Sequence, residues 1–137
     1  MMGELDYKIL SSGSIGNAVR IRGIMIDCGI AFNKMKEELY KCQYLLITHD
    51  HQDHVKPAVL NQIVEQFPNI DIFSTYKVAR LNDAVTAINT DYLPIWLEKA
   101  QCNMWAIEVP HNTICFGYVL RFDDLDVLYA TDLKNPK

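Results

Sequence analysis

No run of apolar residues in this sequence approaches the roughly 20 needed to cross a membrane as a helix. The opening, Met1 to Asp6, has no cationic stretch followed by an apolar one, so a secretory signal is not expected. Cysteine is sparse, and Cys28, Cys42, Cys102 and Cys115 form no CxxC pair. That spacing excludes a zinc-finger signature. The apolar neighbours of Cys28, Cys102 and Cys115 predict reduced core thiols instead of disulfides. A basic excess is also missing. The net charge is −4, and Arg20, Arg22, Lys34, Lys36, Lys41, Lys56, Lys77, Arg80, Arg121 and Lys134 are scattered along the chain. Global charge therefore gives no support for a nucleic-acid partner, although bound metal ions add positive charge locally. Repeats, low-complexity tracts and linkers are absent too. These absences predict one soluble, cytosolic domain without a membrane partner.

What is present is a chain that is 50% apolar, enough for a real core. Tyr7 to Leu10 reads as a first strand, followed by a turn over Ser11 to Asn17. Ala18 to Ile21 and Ile24 to Ile26 read as a hairpin about Arg22-Gly23. Phe32, Met35 and Leu39 recur at helical spacing, with Lys34, Lys36, Glu37 and Glu38 mostly outward. Tyr44 to Ile47 reads as a buried strand. Pro57 opens a second helix, whose stripe is Leu60, Ile63, Val64 and Phe67. A strand at Ile70 to Ser74 and a short helix from about Tyr76 to Asn82 follow. Residues 83–100 carry no clear period, and the region around Pro94 reads as loop. Strands are then expected at Trp105 to Val109, across the alternating Ile114, Phe116, Tyr118, Leu120 and Phe122, and at Asp126 to Tyr129.

The densest chemistry lies directly after the Tyr44 to Ile47 strand. Of the four histidines, His49, His51 and His54 fall within six positions, with Asp53 among them. Imidazole nitrogen and carboxylate oxygen are the ligands that zinc and similar divalent ions take. Neutral imidazoles pack poorly together and protonated ones repel, so a bound cation turns this cluster into binding energy. In extended chain, His49 and His51 point the same way; on a helix they would splay about 200° apart. Asp53 and His54 lie where the chain turns into the next helix, placed to face a second ion. Two-metal hydrolases hold their ions about 3.5–4 Å apart.

His49-Asp50-His51-Gln52-Asp53-His54 resembles the HxHxDH signature of the metallo-β-lactamase fold superfamily. Further signposts follow in order. Ile26-Asp27-Cys28-Gly29 resembles the motif whose aspartate buttresses the metal loop. Val109-Pro110-His111-Asn112 resembles the motif that donates the next histidine. Tyr129-Ala130-Thr131-Asp132 resembles the motif whose aspartate bridges both metals. The Ser11 to Asn17 turn is similar to the opening of single-domain bacterial and phage members described as exonuclease-like. The resemblance implies an α+β fold of αββα layers, a β-sandwich flanked by helices. It implies two zinc sites, with manganese or iron as alternatives. His49, His51 and His111 would hold the first ion, Asp53 and His54 the second, and Asp132 would bridge. Asp27 would orient ligands by hydrogen bonding.

The family's last histidine, which completes the second site from a C-terminal segment, has no counterpart after His111. The chain reaches Lys137 five residues beyond Asp132. On this resemblance residues 1–137 form a single domain comprising the N-terminal two-thirds of the usual fold, incomplete in its C-terminal half. An uncovered apolar face predicts self-association if these residues are the whole chain. The resemblance implies a metal-dependent hydrolase, with Asp53 or Asp132 orienting or deprotonating a metal-held water. A phosphodiester in a nucleic acid or nucleotide is the favoured substrate. The alternative is a non-catalytic metal-binding remnant or interaction module. A redox di-iron centre is a third reading, weakened because no flavin-binding domain is present.

Overall fold

The alternation of Ile24-Met25-Ile26 and Tyr44-Leu45-Leu46 is apolar on both sides, and a strand of that kind needs cover on both faces. A computed structural model, describing residues 5–89 and 93–130, shows how both are covered. Six strands form one sheet in sequential order: β1 (Tyr7–Ser11), β2 (Ala18–Ile21), β3 (Ile24–Ile26), β4 (Tyr44–Leu46), β5 (Asp71–Ser74) and β6 (Val85–Ala87). β1 to β3 pair antiparallel, and β3 to β6 run parallel. Parallel neighbours need crossovers. α1 (Phe32–Leu39), α2 (Pro57–Gln66) and α3 (Tyr76–Ala79) supply them. A second, antiparallel sheet has the order β10-β9-β8-β7, from β7 (Ile95–Leu97), β8 (Cys102–Glu108), β9 (Phe116–Arg121) and β10 (Asp126–Tyr129).

Met25, Leu45 and Ile72 face the helices, packing with Phe32, Met35, Leu39, Leu60 and Ile63. Ile24, Ile26, Tyr44 and Leu46 face the other way, against Leu97, Met104, Phe116, Tyr118 and Leu120 of the second sheet. The layers are therefore helices, mixed sheet, antiparallel sheet: an α+β sandwich, as the sequence predicts. Among the described residues no helix covers the outer face of the second sheet, where Trp96, Ile107 and Leu128 stand exposed. Nor is any described helix long and apolar enough to cross a membrane.

The expected elements form with modest changes. The strand expected from Trp105 begins earlier, at Cys102, and ends at Glu108. The helix at Tyr76 stops at Ala79, three residues early. In the stretch without a clear period lie β6, β7 and a 3-10 turn at Glu98–Ala100. Strands of three residues are too short to show a period. Glu38 is the main reversal: it is buried, not outward, and bonds Arg20 Nε at 2.8 Å. All four cysteines are buried, and burial pushes the thiols of Cys42 and Cys102 up to about 12 and about 11. Such thiols are inert.

Candidate metal centre

The site forms at the C-terminal end of β4, where the parallel strands of an open sheet present their loops. Three bonds fix the departure of the chain from β4. Ser74 Oγ and Tyr118 Oη donate to Ile47 O at 2.8 and 2.7 Å. Phe116 N donates to Thr48 O at 2.8 Å, joining the second sheet to the loop. The loop then folds back: His54 N and Val55 N both donate to His51 O at 2.9 Å. Pro57 starts α2 without needing a backbone donor.

The segment after β3 docks on this loop. Cys28 N donates to His54 O at 2.8 Å, and Lys56 N returns a bond to Cys28 O at 3.2 Å. The approach demands glycine at position 29, since a Cβ there would lie 2.0 Å from Asp53 O. Asp27 adopts φ 69°, a left-handed conformation that Asp tolerates better than most residues. That turn aims its fully buried carboxylate at the loop.

Asp27 organises two histidines. Its Oδ1 accepts from Thr48 N at 2.7 Å. Its Oδ2 lies 3.0 Å from Thr48 Oγ1 and 2.6 Å from His54 Nδ1. Burial pushes the Asp27 carboxyl up, while the bonds from His54 and Thr48 pull it down. The ionised form accepts from all three donors at once, so we assign it. Thr48 Oγ1 then gives its hydrogen to Asp27 and accepts from His49 Nδ1 at 2.8 Å. This network assigns the Nδ1–H tautomer to both His49 and His54, leaving each Nε2 with its lone pair. Cys115 Sγ packs 3.4 Å from His49 Nδ1.

His111 arrives from the turn after β8, closed by Val109 N donating to Cys115 O at 3.0 Å. His49, His51 and His111 each offer a ligand atom, all within 4.8 Å of one another. His111 Nε2 and His51 Nδ1 are 3.2 Å apart. Two nitrogens bound tetrahedrally at about 2.0–2.1 Å from one zinc ion lie about 3.3 Å apart, so the spacing fits a shared ion. His49 is fully buried, whereas His51 and His111 are half-buried and leave the centre open on one side.

The sequence matches no protein-family model and no curated protein. Its likeness to known proteins lies in structure. It is similar to the crystal structure of the metallo-β-lactamase fold protein YhfI from Bacillus subtilis, with TM-score 0.69 and 12% identity over 89% of this chain. The chain has the metallo-β-lactamase fold. Human tRNase Z, short form, is similar at TM-score 0.62 and 16% identity, covering 89% of this chain and 67% of that one. A diphosphatase from the PhnP family is similar at TM-score 0.63 and 18% identity, covering 83% of this chain and 61% of that one. The chain likewise spans 61% of the length of the YhfI structure.

Within this metallo-β-lactamase fold, the structure brings together six of the seven expected residues: His49, His51, His54, His111, Asp53 and Asp27. Asp53 Oδ2 lies 3.5 Å from His54 Nε2, so these two form a pair beside the triad. The His49 and His54 rings are 4.1 Å apart by centroid. Asp132 lies outside the described residues. Sequence reasoning gave no role to Thr48 or Asn17. Thr48 links Asp27 to His49, and Asn17 Nδ2 lies 3.2 Å from His54 Nε2. The available signals were position alone: Thr48 opens the cluster, and Asn17 closes the Ser/Gly turn.

Proposed function

We propose that this chain is a metal-dependent hydrolase of phosphodiesters, in nucleic acids or nucleotides. The observation that carries it is the convergence of His49, His51 and His111, from two sheets, at one half-open point. Two of the similar structures, named a tRNase and a diphosphatase, support phosphorus–oxygen chemistry. In this reading the three histidines would hold one zinc ion, Asp53 and His54 would hold a second, and Asp132 would serve both. Bound ions would supply hydroxide at neutral pH and polarise the phosphoryl oxygen. The chain itself does the positioning. Asp27 and Thr48 keep the imidazoles in the ligating tautomer, and Asp53 orients the attacking water or takes its proton. The buried thiols of Cys28, Cys42 and Cys102 fit a reducing compartment such as the cytosol.

Turnover of bis-p-nitrophenyl phosphate, with zinc or manganese added, tests the reading. We expect metal-dependent hydrolysis that falls at least about 100-fold in His51→Ala, the loss typical when charge stabilisation at the reacting oxygen is removed. A second reading is a metal-stabilised module without catalysis. Tight metal binding with no turnover by any ion would establish that reading.

A further inference from the structure

The turn between β1 and β2 ends in a buried polar side chain with no part in the chemistry above. Asn17 is 5% exposed. Its Oδ1 accepts from Gly13 N at 3.1 Å. Its Nδ2 donates to Gly13 O at 2.9 Å and to Asp53 O at 3.0 Å, and stands 3.2 Å from His54 Nε2. A carboxamide nitrogen has two hydrogens, so these three acceptors share them. Since His54 Nδ1 donates to Asp27, its Nε2 is the acceptor facing Asn17. One side chain therefore holds the main chain of Asp53 and the ring of His54.

The turn is built to deliver this group. Ser11 Oγ donates to Gly16 O at 2.9 Å, and Gly29 N donates to Asn17 O at 3.0 Å. A Cβ on Gly16 would lie 2.4 Å from Gly29 O, so only glycine lets the turn seat against the Asp27–Gly29 segment. Gly13 has φ 118°, which closes the turn beneath the carboxamide.

We propose that Asn17 is a positioning residue for a second metal ion, fixing Asp53 and His54 relative to each other before the ion arrives. When an ion takes the His54 Nε2 lone pair, both Asn17 hydrogens stay satisfied by Gly13 O and Asp53 O. The amide shifts off the imidazole to admit the ion, while its bonds to Gly13 O and Asp53 O keep the Asp53 main chain ordered. A site with two described ligands depends on such ordering more than the three-histidine site does. The inference rests on the two-ion reading, and the experiment separates them.

Calorimetric titration of the full chain with zinc, paralleled by cobalt(II) absorption, reads each binding event in wild type, Asn17→Ala and Asn17→Ser. The wild type should bind two ions. In the variants the first event should be unchanged and the second weakened about 10–100-fold, the usual effect of losing a group that orients ligands. Long-range proton–nitrogen NMR of the metal-free protein should show the His54 Nε2 resonance displaced while Nδ1 stays protonated. Two wild-type events with the second unaltered or tightened in the variants would overturn the inference alone. Equal weakening of both events, or loss of fold in both variants, would also overturn it, because Asn17 would then support the chain and not the second site. A wild type that binds one ion overturns the two-ion reading together with this inference.

Discussion

Asp27 is a single carboxylate that sets the state of three neighbouring groups. It accepts from Thr48 N, Thr48 Oγ1 and His54 Nδ1, and through Thr48 it reaches His49. Asp27→Asn separates its chemistry from its backbone role, because Asn also tolerates the left-handed conformation. The amide keeps the size but places a donor where three donors converge. We expect metal affinity, measured by competition with a chelating dye, to fall about 10–100-fold. Unchanged affinity would mean that the imidazoles hold their tautomers without Asp27. At this scale the sequence was informative about ligands and poor about their supports. His49, His51, Asp53 and His54 share one short segment, so their types and spacing announce a site. Thr48 and Asn17 act through hydrogen bonds that exist only once distant segments meet; Asn17 and Asp53 are 36 positions apart.

Among the elements, α1 shows how a correct period can misplace a residue. Phe32, Met35 and Leu39 face the core as their spacing predicts. Glu38, beside Leu39, is buried too, because Arg20 on the buried strand β2 needs an anion. Arg20 bonds Glu38 through Nε at 2.8 Å and Asp6 through Nη2 at 2.8 Å. The Arg20 guanidinium holds the Glu38 carboxyl below the usual carboxylate range. A folded-state pKa below the unfolded value of about 4.3 gives stability that is complete above that value and lost as pH falls through the lowered one. Glu38→Gln should therefore destabilise the protein near pH 7 by about 1.5–3 kcal/mol, the range for a hydrogen bond to a charged group. Asp6 remains to neutralise Arg20, which keeps the cost below that of breaking an isolated buried pair. In urea titrations the gap between variant and wild type should narrow in acid; a gap that stays constant from pH 7 to about pH 3 would show that the pair is not the source.

For the whole molecule, the placement of the site at the C-terminal end of β4 was legible in the sequence, whereas β6 lies in the stretch without a clear period and the parallel order of β3 to β6 emerges only in the structure. The antiparallel partner sheet was legible only in part. The alternation from Ile114 to Phe122 marked β9, but β7 is too short to carry a period and Trp96 points outward. That outward face also carries Ile107 and Leu128, the latter 71% exposed. We propose self-association through it, since exposed apolar side chains on one sheet face favour contact with another copy. Sedimentation velocity should show association that rises with concentration and is reduced in Leu128→Lys. A sedimentation coefficient independent of concentration would count against it.

The bond from Phe116 N to Thr48 O ties the two sheets together at the rim of the site, and the imidazoles of His51 and His111 meet across the same seam. Those two residues are 60 positions apart in the chain. An ion held between them is thus a cross-link that closes a long loop, and the entropy such a link removes from the open chain grows with loop length. Because the seam exists only after the sandwich has closed, a bound ion would draw on the closed form and hold the sheets shut by mass action. The centre that would do the chemistry is also the clasp of the fold, and removing the ion would loosen the molecule first at its own mouth.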